Sequence, residues 1–285
     1  MPRDPLIHGQ KADFGTIYDQ PDPREYFRTL SSLDYQIPQQ AMPVFDAIID
    51  ALPDTVRSTV VDVCCSYGIN AALLRHELDL SDLTAHYTAP DLAAASTDEV
   101  RQADREFFAE RVQHPDLAVL GLDAAQPAID YAVSANLLEQ GWAENLENAA
   151  PSPELAEGIS DADLIISTGG VGYVGPNTFA KLLDCVDDPA NLWLVTFVLR
   201  VFDYSEITEL LAEYGLITEQ LPGVTFPQRR FATPDEQKAA VHDVVSRDLD
   251  PSDKEADGWF HASCFLTRPA AATDVPVMKF VPGMS

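Results

Sequence analysis

The segment TVVDVCCSYGIN, residues 59–70, predicts a buried strand that passes through a tight turn directly into a helix. Its first five residues are mostly β-branched, which favours a strand. The small side chains at positions 64 to 66, together with Gly68, allow the backbone to turn sharply. The helix is expected to begin near Asn70, where its free N–H groups favour a carboxylate, a phosphate or a ribose hydroxyl. Since ligands bind outside the carboxyl ends of strands in open α/β sheets, the segment predicts a ligand site.

Length, composition and charge limit the kind of protein. The chain has 285 residues, of which 46% are hydrophobic and 9% aromatic, enough for one large α/β domain. Its formal net charge of −28 repels nucleic acid and anionic membranes, so neither is an expected partner. The acidic residues are scattered and the four cysteines lack C-x-x-C spacing, so no metal site is predicted. The start of the sequence lacks the apolar run of a signal peptide, and no long apolar run follows, so a cytoplasmic protein is expected.

Segments typical of strands and of helices alternate along the chain. Strands are predicted at 59–63, 83–88, 117–122, 164–166, 192–199, 217–220 and 262–267. Helices are predicted at 41–52, directly after Gly68, and at 99–112, 128–148 and 203–215. Residues 1–40 are rich in aromatic side chains and are expected to fold over part of the domain, whereas 221–258 is interpreted as an irregular insertion. The alternation predicts a doubly wound, mostly parallel sheet.

The turn resembles the first motif of a known enzyme family. Residues 61–68, VDVCCSYG, are similar to the motif V-L-D-L-G-C-G-x-G of the class I S-adenosylmethionine-dependent methyltransferases. Asp62 takes the acidic position and Gly68 the last glycine, whereas Cys64 and Ser66 stand where the family has glycines. The resemblance extends in order over roughly residues 45–220. It implies an α/β fold with a seven-stranded, mostly parallel Rossmann-like sheet in residues 41–285, and residues 1–40 are predicted to be an N-terminal lid segment.

The resemblance also implies where S-adenosylmethionine, the cofactor of that family, binds. Asp123, after the predicted third strand, matches the acid that receives the adenine amino group, and Ala124 supplies a backbone N–H to the ring. The ribose-binding acid belongs at the end of the second strand, where Tyr87 or Thr88 falls and Asp91 comes only later. The predicted cofactor-binding residues are Tyr18, Tyr35, Asp62, Cys64, Cys65, Ser66, Gly68, Asn70, Asp123, Ala124, Ser167, Thr168 and Gly169.

Two residues are candidates for the chemistry at the sulfonium, whose positive sulfur stands beside three electrophilic carbons. Tyr173, in the glycine-rich loop 167–175, can face this cation with its ring or can pack on a neighbour. Asn136, on the apolar face of the predicted helix 128–148, can hydrogen-bond the amino acid end of the cofactor, a nucleophile, or nearby backbone. Tyr18 and Tyr35 in the lid segment are expected to cover the site.

Three functions are consistent with such a site. The leading hypothesis is methyl transfer to a small acceptor in secondary metabolism, because methyl transfer is the reaction most often found with this fold. In the alternative, the cofactor's own amino nitrogen attacks its γ-carbon, which yields azetidine-2-carboxylate and methylthioadenosine, as in methyltransferase-like azetidine synthases. A third class is a protein that binds the cofactor as a sensor without turnover. A small-molecule substrate is the expected partner, and a homodimer is one assembly consistent with the sequence.

Overall fold

The computed structural model describes residues 15–52 and 58–281. Its strands are β1 (Thr59–Val63), β2 (Ala118–Asp123), β3 (Gln140–Ala143), β4 (Leu164–Thr168), β5 (Trp193–Leu199), β6 (Leu216–Gln220), β7 (Phe226–Arg230) and β8 (Trp259–Pro269). Its α-helices are α1 (Gly15–Tyr18), α2 (Arg24–Ser31), α3 (Ile37–Ile49), α4 (Ile69–Arg75), α5 (Leu80–Tyr87), α6 (Pro90–Ala93), α7 (Thr97–Ala109), α8 (Gln126–Ser134), α9 (Pro153–Gly158), α10 (Pro176–Leu183), α11 (Ser205–Glu213) and α12 (Pro234–Ser246). Within these described ranges, no helix has both the length and the apolar character needed to cross a membrane.

The strands of the described chain form one sheet. β1 to β5 are parallel and lie in the order β3-β2-β1-β4-β5. β8 runs antiparallel beside β5, and both β6 and β7 pair antiparallel with β8. The strand order reverses between β1 and β4, so the carboxyl ends of these two strands flank a crevice. The α/β architecture with a mostly parallel sheet is confirmed, with eight strands instead of the seven predicted.

The two faces of the sheet bury separate apolar clusters. Along β1, Val60 joins a cluster that includes side chains of α3, α4, α5, α7 and α8, whereas Val61 and Val63 join a cluster with α9, α10 and α11. This division follows from the geometry of a strand, in which successive side chains point to opposite faces. The N-terminal helices α1 and α2 contribute to the first cluster, on the same face as α4.

The segment predicted as the second strand, 83–88, is helical. It lies in α5, which begins with a capping box: Asp79 and Asp82 each accept a hydrogen bond from the backbone N–H of the other. Because a helix occupies this place, Ala118–Asp123 is the second strand and not the third. Asp123 therefore ends the strand that pairs directly with β1.

The helix predicted at 128–148 is much shorter in the structure. α8 ends at Ser134, and Asn136 adopts a left-handed φ of 59° before the chain enters β3. The Asn136 side chain is exposed, and its backbone carbonyl accepts a hydrogen bond of 3.0 Å from the guanidinium of Arg75 at the end of α4. Asn136 thus lies at the C-terminal ends of two helices and not on a buried helical face.

The segment 221–258, interpreted as an irregular insertion, contains β7 and α12. Arg229 of β7 and Glu236 of α12 form a buried ion pair with two N–H···O hydrogen bonds of 3.0 and 2.6 Å. The paired geometry satisfies both charges, which is the condition for burying them. The segment is therefore a folded part of the domain that packs against β8.

Candidate functional site

The turn after β1 keeps the backbone of a glycine-rich loop although two of its residues carry side chains. Cys64 and Ser66 have φ values of 63° and 53°, and Gly68 has a φ of 77°. The left-handed region costs a residue other than glycine about 1–2 kcal/mol. The chain retains this strain at both positions where the resembled motif has glycines, and strain of this kind is typical of ligand sites.

Asp123 holds the turn against the end of β2. Its carboxylate accepts 2.9 Å hydrogen bonds from the backbone N–H groups of Ser66 and Ala125. The backbone N–H of Cys64 donates to the carbonyl of Leu122 at 2.7 Å. These bonds fix the turn, and a carboxylate has enough lone pairs to accept further hydrogen bonds from a ligand.

A first cavity opens between the turn, the loop after β4, the N-terminal helices and β7. The lining residues are Tyr18, Tyr26, Leu30, Tyr35, Pro38, Cys64, Cys65, Ser66, Ile69, Asn70, Asp123, Thr168, Gly169, Tyr173, Gln228 and Arg229. The structure thus brings most of the predicted cofactor-binding residues to one cavity, including residues from the predicted lid segment. Gln228 and Arg229 were not predicted, because they come from the segment interpreted as irregular.

Four buried side-chain oxygens in and beneath this cavity have no hydrogen-bond partner: Asp62 Oδ2, Ser66 Oγ, Asn70 Oδ1 and Gln228 Oε1. Ser66, Asn70 and Gln228 line the cavity directly. An unsatisfied buried polar group costs about 1–3 kcal/mol, and folded proteins contain few of them. Their concentration at one place indicates that a ligand completes the site.

Asn70 connects the end of β1 to the end of β4. Its side-chain amide nitrogen donates to Asp62 Oδ1 at 3.0 Å and to Thr168 Oγ1 at 3.2 Å. Complete burial raises the pKa of Asp62 to about 8; the hydrogen bond from Asn70 opposes this shift, and the nearby charge of Asp123 adds to it. Asp62 can therefore gain or lose a proton near neutral pH.

A second cavity adjoins the first and shares Cys64, Asp123 and Tyr173 with it. The other lining residues are Val63, Leu122, Ala124, Glu144, Asn145, Leu146, Val174 and Thr178. Several of these side chains are apolar, and a small number of amide and carboxylate groups stand among them. This combination suits a largely apolar ligand that forms a few specific hydrogen bonds.

Three of the predicted cofactor-binding residues line neither cavity: Asp62, whose bond to Asn70 is described above, and Ser167 and Gly68, which support the turn. The Ser167 hydroxyl is buried and donates to the carbonyl of Val63 at 2.9 Å. Gly68 lies against α8, where an added Cβ would stand 3.2 Å from the Cβ atoms of Ala132 and Leu137. These two residues position the turn through packing and hydrogen bonding.

The loop after β4 leaves room for the Cys64 side chain. An added Cβ at Gly170 would lie 3.0 Å from Cys64 Sγ and 2.5 Å from Ser167 Oγ. The second of these distances is shorter than real Cβ contacts, so only glycine fits beside the side chains that face it. Because Gly170 has no side chain, there is space beside it for the side chain of Cys64, a position at which the resembled motif has glycine.

Three tyrosines of the N-terminal segment, Tyr18, Tyr26 and Tyr35, form one wall of the first cavity. Tyr26 contacts Tyr18, Tyr35 and Tyr67 in edge-to-face geometry, with ring centroids 5.8 to 6.1 Å apart. Burial raises the pKa of Tyr35 to about 12, so its hydroxyl stays protonated and neutral at physiological pH. The Tyr67 hydroxyl lies 2.8 Å from the carbonyl of Ile17 and 2.9 Å from that of Gln20, which attaches the N-terminal segment to the turn.

The two candidate catalytic residues lie in different places. Tyr173 lies in the loop after β4, as predicted, and lines both cavities. Asn136 lines neither, and its position at the ends of α4 and α8 does not support a catalytic role. Across residues 15–52 and 58–281, no group of three His, Cys, Asp or Glu side chains has the arrangement of a metal site.

No protein-family model matches the sequence, and no curated protein sequence matches it significantly. Several solved structures resemble the fold. A TehB-like methyltransferase from Corynebacterium glutamicum aligns with 17% identity and a TM-score of 0.40 over 78% of this chain and 86% of its own. Magnesium protoporphyrin IX methyltransferase from Synechocystis, with bound S-adenosylmethionine, aligns with 9% identity and a TM-score of 0.39 over 92% and 88%. The YcgJ protein from Bacillus subtilis aligns with 10% identity and a TM-score of 0.46 over 79% and 97%.

Proposed function

We propose that this chain binds S-adenosylmethionine in the two adjoining cavities and uses its sulfonium as an electrophile, with methyl transfer to a small acceptor as the leading reaction. The turn after β1 carries this proposal. Cys64 and Ser66 keep the left-handed φ values of a glycine-rich motif, and the cavity beside them contains unpaired buried oxygens. The net charge of −28 also favours a cationic ligand.

In this proposal the methionine part occupies the first cavity and the adenosine part occupies the second. Asp123 ends the second strand, which is where the resemblance implies the ribose-binding acid. We therefore assign Asp123 to the ribose hydroxyls, in place of the adenine contact expected from the sequence. Leu122, Leu146 and the backbone of Ala124 are the assigned contacts of the adenine ring.

Residues that line both cavities are assigned to the sulfonium, which joins the two parts of the cofactor. Cys64 and Tyr173 meet this condition; Asp123 also lines both cavities and is the residue assigned to the ribose. An aromatic ring next to a desolvated cation contributes about 0.5–2 kcal/mol. The bound cofactor supplies the activated methyl carbon, and the chain contributes position, orientation and exclusion of water by Tyr18 and Tyr35.

Cyclisation to azetidine-2-carboxylate is the second candidate, and one observation favours it. Cys64 and Ser66 place side chains on the cavity wall where glycines would leave open space. This bulk favours a folded methionine part, as ring closure requires. In that reaction the ammonium group first loses a proton to solvent, and the resulting amine then forms a bond to the γ-carbon as the C–S bond breaks, which releases methylthioadenosine.

Product analysis separates these reactions. The purified protein is incubated with S-adenosylmethionine, with and without a mixture of small amine, thiol and hydroxyl acceptors, and the nucleoside products are separated by chromatography. Acceptor-dependent S-adenosylhomocysteine supports methyl transfer. Enzyme-dependent methylthioadenosine without an acceptor supports cyclisation and contradicts methyl transfer, and tight binding with neither product supports a sensor.

Two variants serve as controls for the product assay. Asn70→Leu removes the bonds from the Asn70 amide to Asp62 and Thr168, and it should abolish either product. Tyr204→Phe removes a buried hydroxyl that lines neither cavity, and it should leave the product yield unchanged. Failure of the wild-type protein to bind S-adenosylmethionine in calorimetry overturns the proposal as a whole.

A further inference from the structure

Gln228 is a buried polar residue of β7 to which the proposed function assigns no role. Its side chain lines the first cavity, and the residue is 5% exposed. Its amide oxygen, Oε1, has no hydrogen-bond partner. A glutamine in this position is costly to the folded protein unless a ligand pairs with it.

The backbone of β7 directs this side chain to the cavity. Pro227 and Arg229 pair with consecutive residues of β8, so Gln228 is the extra residue of a β-bulge. Bulges re-aim side chains and are common beside active sites. The carbonyl of Gln228 also accepts a 2.8 Å hydrogen bond from the backbone N–H of Gln36, which fixes the bulge against the start of α3.

The loop after β4 provides space for the same side chain. Gly169 has a φ of 73°, and an added Cβ there would lie 2.7 Å from Nε2 of Gln228. A side chain at position 169 would therefore displace the Gln228 amide. Two elements that are distant in sequence thus combine to hold this amide at the cavity.

We infer that Gln228 is a ligand-binding residue that accepts a hydrogen bond from a protonated amine, and that the site selects ligands with a free primary ammonium group. The inference rests on the proposed function, in which the methionine part of the cofactor carries that ammonium. Asn70 and Gln228 line the cavity and each leaves an amide oxygen unpaired, and the unpaired Ser66 hydroxyl in the same lining can also accept a hydrogen bond. An ammonium group has three donors and no acceptor, which matches this set of oxygens, whereas a carboxylate would require donors.

Three substitutions test this assignment. Gln228→Leu removes the acceptor and keeps the approximate size of the side chain. Gln228→Glu keeps an acceptor and adds a negative charge. Gln220→Leu is the matched control on β6, where the glutamine donates to the Ser263 hydroxyl at 3.1 Å and lines neither cavity.

The probes are S-adenosylhomocysteine, its 2-oxo analogue, which keeps the carboxylate but lacks the ammonium, and methylthioadenosine, which lacks both. Calorimetry gives the dissociation constant of each probe. We expect Gln228→Leu to weaken S-adenosylhomocysteine binding by at least about tenfold and to leave the other two probes unchanged, which also demonstrates an intact fold. Gln228→Glu should bind S-adenosylhomocysteine at least as tightly as the wild type, and Gln220→Leu should match the wild type with all probes.

Three results would overturn the inference. In the first, Gln228→Leu leaves S-adenosylhomocysteine binding unchanged or weakens all probes equally. In the second, Gln228→Glu weakens S-adenosylhomocysteine more than Gln228→Leu does, which indicates a contact with the carboxylate. In the third, the wild-type protein binds none of the probes, which overturns the proposed function together with this inference; the first two results overturn the inference alone.

Discussion

Cys64 and Ser66 show that a turn can keep a left-handed backbone without glycine. The sequence pattern around Asp62, Gly68 and Asn70 was sufficient to predict a strand, a turn and a helix with a ligand site at the turn. It could not predict positive φ values at positions 64 and 66, because cysteine and serine ordinarily adopt negative φ. The strain becomes visible only when the bonds from Asp123 that hold the turn are known.

Ser66→Gly should stabilise the unliganded protein and weaken cofactor binding. The substitution removes left-handed strain and a buried hydroxyl without a partner, so we expect the free energy of unfolding to rise by about 1 kcal/mol. Urea unfolding and calorimetry with S-adenosylhomocysteine measure the two effects. Asp248→Gly is the control, since Asp248 is exposed with a φ of 57°, and it should stabilise without changing affinity. A less stable Ser66→Gly protein would be inconsistent with strain at the turn.

Asp62 makes the stability of the unliganded protein depend on pH. Its pKa of about 8 in the folded state lies above the value of about 3.9 in an unfolded chain. The folded state therefore binds more protons between these values, and stability falls as the pH rises through this range. Asp62→Asn keeps an acceptor for Asn70 and should reduce the loss of stability between about pH 5 and 8 by at least about 1 kcal/mol, measured by urea unfolding. Parallel curves for the two proteins would refute the assigned pKa.

At the scale of elements, the sequence predicted the parallel sheet and failed where short segments were ambiguous. The apolar residues of 83–88 suggested a strand, but the reciprocal cap of Asp79 and Asp82 starts a helix there. Because of that error, Asp123 was predicted to follow the third strand and was not considered as the candidate ribose-binding acid, which belongs at the end of the second strand. β7 was missed because Gln228 and Arg229 are polar, and their burial depends on the cavity and on Glu236, which local sequence does not reveal.

The N-terminal segment depends on Tyr67 for its position over the site. Tyr67→Phe removes a hydroxyl that lies within hydrogen-bond distance of the carbonyls of Ile17 and Gln20. We expect faster amide hydrogen exchange in residues 15–35 and a severalfold higher dissociation constant for S-adenosylhomocysteine, because Tyr18 and Tyr35 lose their placement. The same exchange measurement on Tyr204→Phe should show no change in this segment. Unchanged exchange in Tyr67→Phe would contradict the proposed lid.

At the scale of the whole molecule, the excess of acidic residues opposes compact folding. The chain contains 46 Asp and Glu residues against 18 Lys and Arg residues, so like charges repel across the surface. Salt shortens the screening length to about 3 Å at 1 M, while buried pairs such as Arg229 with Glu236 are screened less. The thermal midpoint should therefore rise by several degrees between about 0.05 and 1 M KCl. A lower midpoint at high salt would mean that surface attraction dominates.

Length and composition predicted one large α/β domain, and in the structure the first cavity combines residues from five regions of the chain. Residues of the N-terminal helices, the turn after β1, the end of β2, the loop after β4 and the bulge of β7 line the first cavity. The regions that carry a recognisable turn or glycine pattern were predictable from the sequence. The bulge of β7 was not predictable, because it arises from the pairing of β7 with β8, which are distant in sequence.

A crystal structure with bound S-adenosylhomocysteine tests most directly whether the two adjoining cavities form one S-adenosylmethionine site, as proposed. We predict that the ammonium group lies within hydrogen-bond distance of Gln228 and Asn70 in the first cavity. The ribose should contact Asp123, and the adenine should occupy the second cavity beside Leu122. A nucleoside bound with its adenine in the first cavity, or bound elsewhere on the protein, would contradict the account.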